Sequence, residues 1–526
     1  MELLQSLLLH ALNAAFLTLI YHIAIGIHRL LFHPLRKYPG PLTAKLSGFY
    51  GAYYAWGRNL HLKTWEDHKK YGPVVRQGPN KLVFNSAGAL RDIYQNERIT
   101  KSRAYLIAQR APSVWGLFST MDRQMHQKKR KLLGPVVGNR SLQAFEPTMI
   151  DQVDIFLRNL LLSCQDNSST PVNMTERFSY LTMDIMSHFV FGYPLNLQSE
   201  TVHRFMTRST PNIFLNVALQ LPFLSKIPVS YFRHIRALLR GSQYHNTQTK
   251  MIKARLAKSS HAKQDLLYMS DTLQIPEDDN TFIEEARSEA TFILLAGSDT
   301  MSTCLSALFF YLSRNTRCYQ RLVSEIRSTF RNGGEIRSGS RLASCRYLRA
   351  CLDEALRMSP PIPGTLWREQ VLESYSGTDP LVIDGHIIPP GTEVGVNTYA
   401  LHHNENYFPE PFEFKPERFL SGDVDIDKRA YEGFAPFSIG PRGCIGKSMA
   451  YTEASIIVAK TLWYFDFEQA QGEAGELGKA KSCGLGRMEE RIAEYHIRDV
   501  FATEHDGPCL NFRPREHYAH DLGKVP

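Results

Sequence analysis

The chain has 526 residues, 43% hydrophobic and 11% aromatic, with a formal net charge of +9 and no fixed-period repeat or low-complexity tract. It can bury a large core, and its dispersed basic residues, with no basic block interleaved with aromatics, disfavour a nucleic-acid binder and leave an anionic membrane surface or an acidic protein partner. Eight cysteines at 164, 304, 318, 345, 351, 444, 483 and 509 show no C-x-x-C spacing, so neither a zinc site nor a disulfide framework is indicated and a reducing, cytosol-facing environment fits.

From Leu3 to His28 there is no Asp, Glu, Lys or Arg, and Leu, Ile and Ala dominate. A membrane-spanning helix needs about 20 apolar residues, so residues 1–32 read as an anchor. A cleaved signal peptide is disfavoured because no basic region precedes the run and no small-x-small site closes it. A helix lying in the interface is the other competitor, with His10, Asn13 and His22 marking its polar face. Arg29, Arg36 and Lys37 follow, which places the remainder in the cytosol. Pro34, Pro39 and Pro41 make residues 33–48 a helix-breaking hinge, and 49–526 form the body. The sequons at Asn139, Asn167 and Asn173 would then go unused.

Val74 to Phe84 reads as a hairpin around Gly78-Pro79-Asn80. From about 86 to 360 the pattern is mostly helical, with its clearest polar break at Lys258–Thr281. Strands return at Leu381–Ile383 and Glu393–Val396, and Pro409, Pro411 and Pro416 mark an irregular meander. The expected fold is mainly α with a smaller, segregated β part.

Within the helical region, His126 and Arg130 are four apart and share a helix face. Ala286–Tyr311 is the longest clean helix, with acids at its start that suit the helix dipole. In its middle, Gly297, Asp299 and Thr300 are locally costly. Thr300 can bond back to a carbonyl one turn earlier, kinking the helix and opening a groove. A polar break facing solvent is the plainer reading, but the flanks Phe292–Leu295 and Cys304-Leu305 look buried. Glu354 and Arg357 share a face of a helix over Tyr347–Met358; alone, they read as a solvated pair.

Phe437-Ser438-Ile439-Gly440-Pro441-Arg442-Gly443-Cys444-Ile445-Gly446 places a cysteine in a glycine-rich loop before an apolar helical segment. Gly440 and Gly446 let a flat cofactor approach the main chain, backbone N–H groups can face the sulfur, and Arg442 can meet a cofactor carboxylate in bidentate fashion. A lone cysteine is more often a buried structural thiol, yet a thiolate here could hold haem iron.

The pattern Phe-x-x-Gly-x-Arg-x-Cys-x-Gly resembles the cysteine loop of the cytochrome P-450 family at every defined position. The resemblance implies haem b (iron protoporphyrin IX), with Cys444 as the axial iron ligand, Phe437 packed beside it and Arg442 on a propionate. It extends to Ala296-Gly297-Ser298-Asp299-Thr300, similar to the family's oxygen-binding helix, where Thr300 would hydrogen-bond at the oxygen site and Asp299 would help deliver protons. The family's second threonine is replaced by Met301, a change expected to alter hydration or a helix contact. Glu354, Arg357 and Arg418 resemble the family's structural triad. His126, Arg130 and Arg368 resemble its propionate partners.

By the same resemblance, electrons arrive from an NADPH-cytochrome P-450 reductase, with cytochrome b5 as a further partner, so that NADPH and flavins act only through the reductase. Lys128 and Lys129, with Lys447, read evenly as a docking face for that acidic partner or as solvated charge. The chain would be a monooxygenase of the endoplasmic reticulum membrane, with an apolar pocket drawn from Tyr105–Phe118, Ile213–Phe223 and Pro363–Leu366. The hinge, His188–Leu195 and Pro409–Phe414 resemble fungal biosynthetic members and point to a terpenoid or polyketide-derived substrate. Three rivals stand beside this: a peroxide-using haem-thiolate enzyme, an isomerase or dehydratase working without reductase, and a non-catalytic haem sensor. The Asp299–Thr300 pair favours use of O2, because none of the three needs a proton relay.

Overall fold

Helices carry most of the chain, and several small sheets gather its amino-terminal and carboxy-terminal strands. The computed structural model describes residues 2–109, 114–164, 170–207, 213–226, 243–244, 246–255, 280–371, 379–420, 422, 424–480, 491, 493–515 and 522. Residues 258–279 of the polar break read at Lys258–Thr281, residues 110–113 of the expected pocket segment and the sequon at Asn167 lie outside them.

Glu2–Ile27 forms one exposed α-helix, continued by a π-turn at His28–Phe32. The span Leu3–Phe32 is long and apolar enough to cross a membrane. Arg287–Arg314 is comparably apolar but is mostly buried, as a core helix is. The proline segment does end the first helix, yet it is packed rather than free. Leu35 and Tyr38 are buried, and Arg76 N donates to the Pro39 carbonyl at 2.8 Å. Arg76 Nη1 also reaches back to the Arg29 carbonyl at 3.0 Å.

The largest sheet joins distant pieces of chain. Val74–Gly78 pairs antiparallel with Lys81–Phe84, which lies parallel to Glu393–Val396. Glu393–Val396 pairs antiparallel with Arg368–Gln370, and that strand with Ile99–Lys101. The register of this last pair sets Lys101 opposite Arg368. Leu381–Ile383 is a strand, as expected, and its partner His386–Ile388 was not anticipated. The turn between them, Asp384-Gly385, has positive φ at both residues, the conformation for which Asp-Gly is suited.

The main core lies around the long helix Asn280–Arg314, which packs most extensively on Met174–Phe191. The expected helix over 286–311 is thus longer at both ends, and the one over 347–358 begins at Arg346. Gly297 has a packing reason: a Cβ there would press into the Met186 side chain on the facing helix. Thr182 Oγ1 donates to the Ser298 carbonyl at 3.1 Å beside that contact. The small residue therefore permits close helix approach, and the helix stays α-helical through this turn.

Candidate active site

The cysteine loop is shaped by its own backbone and by the end of the helix Ala87–Tyr94 against which it packs. Gly440 has φ of 75°, and any Cβ there would collide with the Tyr94 carbonyl. Cys444 N donates to the Phe437 carbonyl at 2.8 Å, closing the loop on itself. The helix Lys447–Tyr464 follows directly. The Cys444 side chain is accessible, but what it faces is a cavity of about 430 Å³ within the protein. Burial pushes its thiol up, opposed by the Gly446 N–H and by Arg130 and Lys447. The expected backbone N–H at the sulfur is present in that Gly446 contact. A Cβ at Gly446 would stand 3.9 Å from Sγ, within the space open in front of the sulfur.

The same cavity is lined from the long helix by Asp299, Thr300, Met301 and Cys304. Thr300 Oγ1 donates to the Ala296 carbonyl at 2.7 Å, the back-bond expected of it. Met301 is buried, filling the place of a second threonine with an apolar contact.

His126, Arg130, Arg368 and Arg442 all line this cavity, although they come from three regions of the chain. Arg442 Nη1 donates to the Thr120 carbonyl at 2.7 Å, and Nη2 to the Met121 carbonyl at 2.6 Å and Thr100 Oγ1 at 3.2 Å. Those bonds use three of its five N–H groups and leave two for another acceptor. Burial, then Arg368, lowers Arg442 to about 10, while Asp122 acts in the opposite direction. Arg130 Nη1 donates to the Gly443 carbonyl at 2.7 Å. Burial, then Arg442, Lys101, Arg130 and Arg368, depresses the His126 imidazole to about 3, so it is neutral at physiological pH.

Lys101 also lines the cavity and was missed in the sequence. Its signal lies only in the strand register that pairs it with Arg368. Its Nζ stands 4.1 Å from the Phe118 ring centroid. Burial, then Arg368 and Arg442, holds its ammonium well below the usual lysine range.

Glu354, Arg357 and Arg418 come together as expected. Arg357 grips Glu354 with Nε at 2.7 Å and Nη2 at 2.9 Å, and Arg418 Nε reaches the same carboxylate at 3.0 Å. Lys415 N donates to it at 2.9 Å, and Arg357 Nη1 donates to the His402 carbonyl at 2.9 Å. Burial works against the Glu354 charge, but Arg357 and then Arg418 hold its carboxyl below the usual range. The pair is fully buried, which corrects the solvated reading it has when taken alone.

Phe437 packs at a tilt against Tyr451, with centroids 5.1 Å apart. The three expected pocket regions each contribute, through Tyr105 and Phe118, Leu215, and Leu366. Phe292, Phe501 and Glu453 line the cavity too and had not been anticipated. Lys129 is turned inward to Glu285 at 3.2 Å and Glu289 at 3.4 Å, so it is not a free surface cation. Lys128 and Lys447 are exposed.

This arrangement defines a class: a mainly helical oxidoreductase with a cysteine loop, a facing acid–hydroxyl pair and a cationic rim around one cavity. The cytochrome P-450 family model matches residues 39–492. The chain is 34% identical to the cytochrome P-450 monooxygenase apf7 of Gibberella fujikuroi, over 94% of this chain and 96% of that protein. It is 34% identical to the cytochrome P-450 monooxygenase AKT7 of Alternaria alternata, over 95% and 96%. It is 32% identical to the cytochrome P-450 monooxygenase poxM of Penicillium oxalicum, over 94% and 93%. The chain belongs to the cytochrome P-450 family and is a monooxygenase of that family.

The family implies haem, and the residues present suit one. Arg130, Arg368, Arg442 and Lys101 all line this cavity, and the mutual repulsion of Lys101, Arg368 and Arg442 favours an anionic group among them. A cysteine sulfur opens into the same space.

Proposed function

We propose that this chain uses electrons from an NADPH-cytochrome P-450 reductase, with cytochrome b5 as a second donor, to oxidise an apolar small molecule. The substrate class is a terpenoid or polyketide-derived intermediate of fungal secondary metabolism. The observation that carries the reading is the one cavity into which Cys444, Asp299 and Thr300 all open, among mostly apolar and aromatic walls.

Bound haem b would supply the oxygen-activating chemistry; Cys444 Sγ would hold its iron, and Arg442, Arg368, His126 and Arg130 would hold its propionates. The chain's own residues do the rest. Asp299 passes protons toward the cavity, and Thr300 holds a hydroxyl there, oriented by its bond to Ala296. Gly446 adds no side chain beside the sulfur, where a Cβ would stand 3.9 Å from Sγ, and Gly440 lets the loop pack on the Tyr94 carbonyl. Phe437 packs beside the cysteine, and Glu354, Arg357 and Arg418 hold the meander against the core.

Residues 1–32 act as a single membrane anchor and 33–48 as the connector. Residues 49–526 are the catalytic domain, on the cytosolic face of the endoplasmic reticulum. The apolar helix and the basic Arg29, Arg36 and Lys37 that follow it support this orientation. Lys128 and Lys447 supply exposed positive charge for reductase docking.

The test is reconstitution with reductase, NADPH and O2 against peroxide alone, using extracts in which a deletion strain accumulates its unprocessed compound. NADPH-dependent conversion of that compound is expected. The carbon monoxide complex of the reduced protein should show the thiolate-type absorbance, and Cys444→Ser should lose it. Equal conversion by peroxide without reductase would overturn the reading.

A further inference from the structure

Phe501 is the single residue between the paired strands Ile497–Val500 and Ala502–His505, and its φ is 84°. That left-handed conformation is unfavourable for an aromatic residue and persists only where the surroundings impose it. Phe501 lines the cavity, edge-on to Phe118 at 5.5 Å and to Tyr105 at 6.4 Å between ring centroids. Phe118 in turn stacks on Phe292 of the long helix at 4.8 Å. Four segments thus build one aromatic wall, and the turn at Phe501 closes it.

The turn is held by a buried carboxyl. Phe501 N donates to Asp499 Oδ1 at 3.2 Å, and Asn216 Nδ2 donates to the same oxygen at 2.9 Å and to the Asp499 carbonyl at 3.2 Å. Asn216 belongs to the helix Ile213–Gln220, next to Leu215, which lines the same cavity. Asp499 is fully buried, with Oδ2 4.0 Å from His61 Nδ1. Its own N–H donates to the Arg58 carbonyl at 2.7 Å, and a Cβ at Gly364 would stand 3.3 Å from Oδ2. The second strand is fastened separately: Thr503 N donates to the Pro361 carbonyl at 3.0 Å, and its hydroxyl meets the Thr303 hydroxyl of the long helix at 2.9 Å. One strand is therefore tied to the long helix. The other is tied through Asp499 to the helix that carries Leu215.

We propose that Asp499 is a positioning residue for substrate selection. One carboxyl oxygen fixes both the turn that aims Phe501 into the cavity and the helix that presents Leu215, and so shapes the cavity for ligands with a flat, unsaturated portion that can lie on the aromatic wall. Phe501 makes the contact, and Asp499 acts through it. The inference rests on the reading of this cavity as the haem and substrate site.

The test uses two haem-ligating probes on the full-length holoprotein, imidazole and phenylimidazole, with dissociation constants read from the azole-induced absorbance shift. Phenylimidazole adds to imidazole a flat ring of the kind the aromatic wall would bind. Asp499→Ala, Asn216→Ala and Phe501→Ala are each expected to weaken phenylimidazole by about fivefold, the scale of one lost aromatic contact, and to change imidazole by less than about twofold. Asp499→Asn keeps an oxygen for the Phe501 N–H and is expected to restore the wild-type ratio. If Phe501→Ala shifts the ratio while Asp499→Ala and Asn216→Ala do not, the proposal fails. It fails equally if both probes weaken together, since that marks a general loss of stability. Should Asp499→Ala not accumulate as folded protein, Asn216→Ala and Phe501→Ala decide the matter by the same ratio. A wild-type protein with no azole shift at all would instead overturn the haem reading itself.

Discussion

Arg130 Nη1 donates to the Gly443 carbonyl across 2.7 Å, so the helix Arg123–Leu133 is tied to the loop immediately before Cys444. The same guanidinium lines the cavity, and the two roles are one: the loop is braced by a residue that also faces the cofactor space. Arg130→Met removes both the brace and the charge. It is expected to lower haem affinity by about tenfold or more, the scale of a lost hydrogen bond to a charged group. Haem-to-protein ratio after dilution measures it, and an unchanged ratio would show that the brace does not matter.

Arg357→Ala would leave Glu354 buried with Arg418 and the Lys415 N–H as its remaining partners. Breaking a buried pair by removing one member costs roughly 3–5 kcal/mol, and this variant is expected to unfold at lower temperature and to fail to hold haem. Arg357→Lys should not rescue it, because a lysine cannot reproduce the two-pronged grip. Thermal unfolding and haem content, measured together, check both statements, and a stable, fully haem-loaded alanine variant would defeat the assignment.

Asp299→Asn keeps the size of the side chain but cannot carry a proton. A drop of about 10²-fold in O2-driven turnover is expected, within the range typical of a lost general acid. Thr300→Val should raise peroxide release per NADPH consumed, because the hydroxyl now directed to Ala296 is gone. Peroxide-driven oxidation of a chromogenic probe should change much less in both variants. A parallel fall in the two assays would assign these residues a purely structural part.

Glu453 lies on the helix after the cysteine loop, buried, with its Oε1 lacking a hydrogen-bond partner. Burial raises its carboxyl to about 8 from an ordinary value of 4.5. Between those values the folded protein holds the proton that the unfolded chain releases, so stability is lost as pH rises through this window. Glu453→Gln stays neutral throughout. Its thermal midpoint should match the wild type near the acid end of the window and exceed it increasingly toward the alkaline end. Two curves that stay parallel across the window would rule out Glu453 as the source.

Residues close together in the chain were the most legible. Cys444, Arg442, Gly440 and Gly446 sit within seven positions, and Glu354 and Arg357 within one helical turn, so spacing alone places them on a common face or loop. Lys101, Asp499 and Phe501 have no such neighbours. Lys101 meets Arg368 only because two strands pair in one register, and Asp499 meets Asn216 only because a hairpin docks on a helix 283 positions away. Lys129 shows the reverse case, a charge that looks free in a basic run and is taken up by Glu285 and Glu289 of another helix.

The amino-acid sequence by itself determined the mainly helical class, the apolar amino-terminal helix, the cysteine loop and the acid–threonine pair, because each depends on local periodicity or on residues within a turn of one another. Only the tertiary structure decided that His126, Arg130, Arg368, Arg442 and Lys101 share one cavity edge, that the Glu354–Arg357 pair is buried, and that Phe501 closes the aromatic wall. Those relations join segments tens to hundreds of residues apart, and they arise from sheet register and helix packing, which local patterns do not encode.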